Sequence, residues 1–314
     1  MYDTSEKMDY IRQPVAIGFY PPEKTALEKA LQAAFADAHG AGDIPEVSSD
    51  RKGQLVAGIA PHAGFIYSGP IASHLYKTIA QDGFPDTFIL IGPKHGAMRF
   101  QGAVVMTKGV WETPLGKCPI DTMLAQLLLE RGQKTGVECI SENTHAHDNE
   151  HSLEVQLPFL QFLGGEDIFK IVPLVISSPK YSMCEKVGTI IAEAIQQSKR
   201  DVILIASTDF THYGQYFYGY APVGNGPVEK VVQWVYATDA DLIQKIEQLD
   251  GKTLLDTVVN EHRTMCGASA VATTIVAAQK LGAVKGNLLK YATSYDVRGS
   301  SDAIVGYAAV AIQR

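Results

Sequence analysis

The chain of 314 residues contains 27 lysines and arginines and 34 aspartates and glutamates, which gives a formal net charge of −7. Duplex nucleic acids and anionic membrane surfaces bind proteins through basic patches, so this acidic balance predicts that neither is a partner. With 46% hydrophobic residues the chain can bury a large core, and we expect residues 1–314 to form a single domain. At this length the alternative is a pair of closely packed halves.

Residues 1–10 contain three acidic side chains and no apolar run, which predicts that they are not a secretory signal. The longest nearly apolar stretch, residues 266–278, is shorter than the ~20 residues that span a bilayer, so we interpret it as a buried helix. We therefore expect a cytoplasmic protein. The four cysteines form no CxxC pair, and in a reducing compartment each is by default a small buried residue.

Apolar runs of strand length alternate with segments of helical periodicity along the whole chain. In chain order we predict a strand at residues 55–60, a helix at 69–80, strands at 87–92 and 103–108, helices at 121–131 and 152–163, a strand at 169–176, a helix at 183–197 and a strand at 202–207. A glycine-rich loop at 214–227 precedes helices near 228–248, 253–260 and 267–281 and a closing strand pair at 287–295 and 303–312. Ser152 is the predicted N-cap of the helix at 152–163. This alternation predicts a three-layer α/β fold around a mostly parallel central sheet.

Histidine follows three of the predicted strands. His62 comes after the strand at 55–60, His95 after the strand at 87–92 and His212 after the strand at 202–207. Ligands of open α/β sheets bind beyond the carboxyl ends of the strands, so these positions are candidates for one site. Two histidines and one anionic ligand hold metals such as iron, copper and zinc while leaving coordination positions free. We therefore predict His62 and His95 as metal ligands.

The third, anionic ligand is left open between Cys266 and Asp209. Cys266 lies where the helix at 267–281 is predicted to begin, and a helix N-terminus favours the thiolate by lowering the thiol pKa. A buried cysteine that only packs against the sheet is the alternative. Asp209 precedes His212 by three residues, so it is a candidate metal ligand, a partner that orients a histidine, or a turn residue. His212 is the candidate general acid or base.

A second polar cluster occupies residues 145–154, which include three histidines. The pattern favours a solvated loop that leads into the capped helix. In the alternative interpretation, His151 and Glu154 line the cleft of the metal site.

Several segments of the chain together resemble the Memo family. They are APHAGFIYSG at 60–69, GPKH at 92–95, WETPLG at 111–116, EHSLEVQLP at 150–158, STDFTH at 207–212 and MCG at 265–267. The resemblance begins at RQP (12–14) and ends at VGY (305–307), so it covers nearly the whole chain in order.

The resemblance implies a fold similar to the catalytic subunit of class III extradiol dioxygenases, whose non-haem iron is held by two histidines and a carboxylate. In the Memo family the corresponding site is associated with two histidines and a cysteine, which match His62, His95 and Cys266, with Asp209 and His212 close by. A thiolate in place of a carboxylate favours Cu(I) and alters iron chemistry, so ring cleavage is not carried over. The implied cofactor is iron or copper rather than zinc.

Three hypotheses of function follow. The first is a metal-dependent oxidoreductase in which Asp209 and His212 are catalytic. The second is a non-catalytic protein that binds phosphopeptides or metal in a retained dioxygenase-like cleft. The third is a zinc hydrolase, since two histidines with Cys or Asp also suit catalytic zinc. We expect a small molecule or a peptide in the cleft, and the family resemblance implies a radical-SAM protein as partner.

Overall fold

The computed structural model of the protein describes residues 10–96, 98, 100, 102–134, 139–165, 168–224 and 226–314. The segment from which we inferred the absence of a secretory signal lies outside these residues, apart from Tyr10. The strands are β1 (Ile11–Arg12), β2 (Leu55–Ala60), β3 (Thr87–Gly92), β4 (Ala103–Val105), β5 (Val110–Thr113), β6 (Gly116–Pro119), β7 (Ile140–Glu142), β8 (Lys170–Ile176), β9 (Val202–Ser207), β10 (His212–Tyr213), β11 (Lys285–Thr293) and β12 (Ile304–Gln313).

The helices agree with most of the predicted segments. They are α1 (Lys24–Ala36), α2 (Phe65–Asp82), α3 (Thr122–Lys134), α4 (Leu157–Gly164), α5 (Tyr181–Ser198), α6 (Gln215–Tyr218), α7 (Val228–Glu247), α8 (Gly251–Asn260), α9 (Ala268–Lys280) and α10 (Ser294–Arg298). Within the described part of the chain, no helix combines the length and the apolar character that crossing a bilayer requires.

The centre of the large sheet is parallel, as the buried apolar runs predict. Strands β2, β9, β3 and β8 are neighbours in that order and run in one direction. Every residue of β2, β3 and β9 is buried, which is typical of parallel strands that are covered on both faces. The predicted α/β class with a mostly parallel central sheet is confirmed.

Helices cover the two faces of this sheet. The connection from β2 through α2 to β3 crosses the sheet in one direction, and the connection from β8 through α5 to β9 crosses it in the other. Because such crossovers are right-handed, α2 and α5 lie on opposite faces. Helix α1 packs on α2, while α9 packs against α5 and against strands β2, β3 and β9. These contacts give the three layers.

The edges of the large sheet are mixed. β12 runs antiparallel to β2, β10 and β11, which confirms the predicted closing strand pair. At the opposite edge β4 is antiparallel to β8 and parallel to β7. The strand predicted at 103–108 ends at Val105.

A small separate sheet was not predicted. It contains β1, β5 and β6, and β1 has only two residues, which is too short for a periodic signal. Its pairing with β5 places the Arg12 guanidinium 4.0 Å from the ring centre of Trp111. The small sheet therefore fixes the amino-terminal segment against the body of the domain.

The predicted start of the helix at 152–163 is wrong. A single 3₁₀ turn covers Glu154–Gln156, and α4 begins at Leu157. The Ser152 hydroxyl does not cap the helix, since it donates to the backbone oxygen of Pro93 at 3.1 Å. Pro158 lies in the first turn of α4, where its missing N–H has no intrahelical partner to lose.

A buried aspartate of α7 fixes the segment that follows β9. Asp239 accepts hydrogen bonds from the backbone N–H and the hydroxyl of Thr211, at 3.1 and 2.6 Å, and from the hydroxyl of Tyr291 at 2.6 Å. Burial raises the pKa of Asp239 to about 6, although these hydrogen bonds act to lower it. The carboxyl group therefore titrates in the weakly acidic range.

We predict that the free energy of unfolding falls as the pH rises from about 4 to about 6. Over this range the folded chain holds the Asp239 proton while an unfolded aspartate, with an ordinary pKa of 3.8, has released it. A difference of about two pKa units corresponds to about 3 kcal/mol. Asp239→Asn should lose this part of the pH dependence in urea unfolding experiments.

Asp241→Asn on the same helix is the control for this experiment. Burial acts to raise the pKa of Asp241, but its hydrogen bond and ion pair with Lys245 bring the pKa below its ordinary value. In this variant the free energy of unfolding should therefore still fall between pH 4 and pH 6. Identical pH profiles for the parent and Asp239→Asn would contradict the prediction.

Candidate metal centre

Three imidazole rings meet beyond the carboxyl ends of β2 and β3. His62 and His95 follow these strands, and their ring centres are 5.1 Å apart. The ring of His151 lies 4.7 Å from that of His95 and 5.6 Å from that of His62. One nitrogen from each ring lies within 4.8 Å of the others. This spacing suits three ligands of a single metal ion.

His95 is oriented by a buried carboxylate. The Nδ1 atom of His95 lies 2.9 Å from Oε1 of Glu150, and the backbone N–H of His95 donates to Oε2 at 2.6 Å. Burial acts to raise the pKa of Glu150, but its hydrogen bonds with the side chain and backbone of His95 hold this pKa well below its ordinary value. A carboxylate only accepts hydrogen bonds, so Nδ1 of His95 carries the proton and Nε2 is left for a metal.

The other two rings are neutral at physiological pH. Burial lowers the pKa of His62 well below 6.5, and the nearby His95 and His151 lower it further. Burial and the neighbouring His95 also lower the pKa of His151. Neutral imidazole is the form that binds metal ions.

His151 is the member of the group that sequence reasoning did not favour. The sequence of residues 145–154 favours a solvated loop, with a cleft position for His151 as the alternative. The structure supports that alternative for His151, whose ring also stacks on Phe19 at 4.0 Å. For Glu154 the alternative is wrong, because Glu154 is fully buried and paired with Arg12 at 2.6 Å.

Cys266 contacts the group through His62. Its Sγ atom lies 3.2 Å from Nε2 of His62 and accepts the backbone N–H of Asp209 at 3.3 Å. The expected low thiol pKa is wrong, since burial and the nearby Asp209 raise the pKa of Cys266 to about 12. Cys266 precedes α9, which begins at Ala268, by two residues. Its role as a metal ligand stays a prediction, and the other three cysteines are buried.

Asp209 and His212 face the same cleft as His95 and His151. Oδ1 of Asp209 accepts the backbone N–H of His62 at 2.8 Å, and burial raises the Asp209 pKa. Nδ1 of His212 lies 3.0 Å from the backbone oxygens of Phe210 and Thr264. These oxygens can only accept, so Nδ1 carries the proton and Nε2 of His212 is available to a ligand in the cleft.

The cleft beside the imidazoles has a volume of ≈ 560 Å³. Among the described residues that line it there is no lysine or arginine, whereas Asp209 and Asp302 are both present. Five aromatic side chains form much of the wall: Phe19, Tyr67, Phe217, Tyr218 and Tyr307. The cleft is large enough for a small organic molecule.

The sequence of the chain is similar to a protein-family model and to many known proteins. The family model described as Memo-like protein matches residues 12–311. The chain belongs to the Memo family. It is 38% identical to a MEMO1 family protein of Methanopyrus kandleri, over 96% of this chain and 99% of that protein. It is also 38% identical to a MEMO1 family protein of Pyrococcus furiosus, over 97% of this chain and 99% of that protein.

A solved structure shows the same fold at low sequence identity. An uncharacterized protein from Escherichia coli K12 matches with a TM-score of 0.51 and 14% identity, covering 82% of this chain and 100% of that one. The Memo-like segments around 60–69, 92–95 and 150–158 bring His62, His95 and His151 to one place in the structure. The third of these segments also supplies Glu150, which sequence reasoning did not single out.

The segment that carries His151 is held by a buried ion pair. Arg12 donates to the backbone oxygens of His147 and Glu150, both at 2.7 Å, and to the Glu154 carboxylate. Glu154 also accepts the hydroxyl of Tyr20 and the backbone N–H groups of residues 15 and 16. The pair therefore joins the amino-terminal segment to both ends of the loop that contains His151.

We predict that Arg12→Met lowers the free energy of unfolding by about 3–5 kcal/mol, because it leaves the Glu154 carboxylate buried without its cation. The double variant Arg12→Met with Glu154→Gln should recover part of this loss, since no unpaired charge remains. Chemical denaturation of the parent, the single variant and the double variant tests both statements. A double variant that is no more stable than Arg12→Met would count against this account.

Proposed function

We propose that the protein binds a redox-active metal ion, iron or copper, and uses it on a small molecule in the adjacent cleft. The observation that carries the proposal is the convergence of three imidazoles next to a cleft of ≈ 560 Å³. When bound, iron or copper would supply electron-transfer chemistry at a position open to that cleft.

The donor set fits such an ion. His62 and His151 are neutral, and His95 has its proton on Nδ1, so imidazole nitrogens are free to coordinate. Glu150 supports His95 in the way that carboxylates support metal-bound histidines in many proteins. Imidazole suits iron, copper and zinc alike, and a thiolate in addition would favour copper.

The third ligand is either His151 or Cys266. His151 belongs to the group of nitrogens within 4.8 Å of one another. Of the three histidines, Cys266 contacts His62, and its sulfur lies 3.2 Å from the Nε2 atom that would face the metal. Because the thiol pKa is about 12, Cys266 would bind as a thiolate only by losing its proton to the solvent when the metal arrives.

The cleft favours a neutral or weakly charged substrate over a phosphopeptide. A phosphate group is normally bound by arginine or lysine, and the described lining contains neither. Aromatic walls instead offer apolar contact area to a small organic molecule. We assign the transfer of protons to His212, whose Nε2 is available to the cleft, with Asp209 beside it. A radical-SAM partner and a cytoplasmic location remain expectations.

Metal analysis of freshly purified protein tests the proposal. We expect about one equivalent of iron or copper per chain, and loss of this metal in the variants His62→Ala and His95→Ala. His145→Ala is the matched control, because this imidazole is 80% exposed and lies outside the three-histidine group. Stoichiometric zinc would support a hydrolase instead, and protein without metal would support a binding role.

Two further variants separate the third ligands. Cys266→Ser should weaken Cu(I) binding by about tenfold or more, with little effect on folding, if the thiolate coordinates. His151→Ala should weaken Fe(II), Cu(I) and Zn(II) binding alike if the imidazole coordinates. Competition titrations with chromophoric chelators measure both. Unchanged Cu(I) affinity in Cys266→Ser, together with a lower melting temperature, would make Cys266 a packing residue.

A further inference from the structure

A chain of buried polar side chains ends on the Nδ1 atom of His62. It consists of Tyr76 in α2, Gln156 before α4 and Ser207 at the end of β9, and none of the three is more than 1% exposed. Nearly all buried polar groups have a hydrogen-bond partner, and the partners of these three side chains are in place, so their donors and acceptors can be assigned one by one.

The orientation of the Gln156 amide follows from its neighbours. One of its terminal atoms lies 3.0 Å from the backbone oxygen of Pro61, which can only accept a hydrogen bond. This atom is therefore the NH₂ group, and it also donates to Oγ of Ser207 at 2.9 Å. The other atom is the carbonyl oxygen, which accepts the hydroxyl of Tyr76.

The proton of the Ser207 hydroxyl is assigned in the same way. Oγ of Ser207 lies 2.6 Å from the backbone oxygen of Ser152, so the single hydroxyl proton points there. One lone pair of Oγ accepts the Gln156 amide. The remaining lone pair faces Nδ1 of His62 at 2.8 Å, and this contact is a hydrogen bond only if Nδ1 carries the proton.

We propose that Ser207 is a positioning residue that, together with Gln156, keeps the His62 proton on Nδ1 and leaves Nε2 free to bind a metal. The use of Nε2 as a metal ligand rests on the proposed function. The placement of the proton rests on the hydrogen bonds alone.

His62 and His95 then both carry their proton on Nδ1, but they donate it to different kinds of acceptor. His95 donates to the charged carboxylate of Glu150, which strengthens an imidazole as a ligand. His62 donates to an uncharged hydroxyl whose own proton and lone pairs are all engaged. His62 is thereby fixed in orientation without gaining negative charge from its partner.

Nitrogen-15 NMR of the metal-free protein tests the assignment, since protonated and bare ring nitrogens have well separated shifts. The His62 signals, identified by their loss in His62→Asn, should show the proton on Nδ1 in the parent chain. If the His62 proton lies on Nε2 in the parent chain, this result alone overturns the proposal.

Ser207→Ala should move the His62 proton. Without Oγ, a proton on Nδ1 would be buried with no acceptor, whereas a proton on Nε2 can point to Sγ of Cys266 at 3.2 Å. We expect the Nε2–H form to dominate and the affinity for Zn(II), used as a spectroscopically silent probe, to fall about 10- to 100-fold.

Ser73→Ala is the matched control. Ser73 is equally buried, donates to the backbone oxygen of Pro70 at 2.6 Å and accepts one backbone N–H, but lies in α2 away from the imidazoles. It should change neither the His62 shifts nor Zn(II) binding. A Ser207→Ala protein that keeps the proton on Nδ1, or that differs no more than Ser73→Ala, would overturn the proposal.

The proposed metal binding and the role of Ser207 can be tested apart from each other. If the parent chain binds no metal while its His62 proton lies on Nδ1 and moves in Ser207→Ala, the proposed function fails and the role of Ser207 stands. If the parent chain binds iron or copper, but its His62 proton lies on Nε2 in the metal-free protein, the role of Ser207 fails and the proposed function stands.

Discussion

The ion pair between Arg12 and Glu154 is the interaction on which the arrangement of the three histidines depends. Both charges are removed from water, so each must be satisfied inside the protein. Arg12 does this with the backbone oxygens of His147 and Glu150, just before His151, and Glu154 does it with the backbone of residues 15 and 16. Two segments far apart in sequence are thereby fixed against each other, and Phe19 is brought over His151.

Much of the fold follows from local sequence, because buried strands and amphipathic helices have distinct periods. The positions of His62 and His95 could be predicted for the same reason, since each follows a continuous apolar strand. The small sheet and the late start of α4 could not, because two-residue pairings and a 3₁₀ turn leave no periodic signal.

The remaining members of the site depend on tertiary contacts. His151 is brought to the group by a loop whose course is set by Arg12, a residue more than a hundred positions earlier in the chain. The place of Cys266 before a helix predicts a low thiol pKa, but burial beside Asp209 raises that pKa and outweighs any effect of the helix. Sequence can show that a polar residue follows a strand. How far that residue is exposed to water, and hence its pKa, depends on the tertiary structure.

Strand β12 has a consequence for when the cleft can form. It pairs with β2, the strand that leads to His62, and it contributes Tyr307 to the wall of the cleft. On the ribosome, β2 emerges long before β12, so the cleft stays incomplete while most of the chain is being synthesised. The wall of the cleft beside the three imidazoles is therefore completed only once the last strand has been synthesised, although His62 and His95 leave the ribosome much earlier.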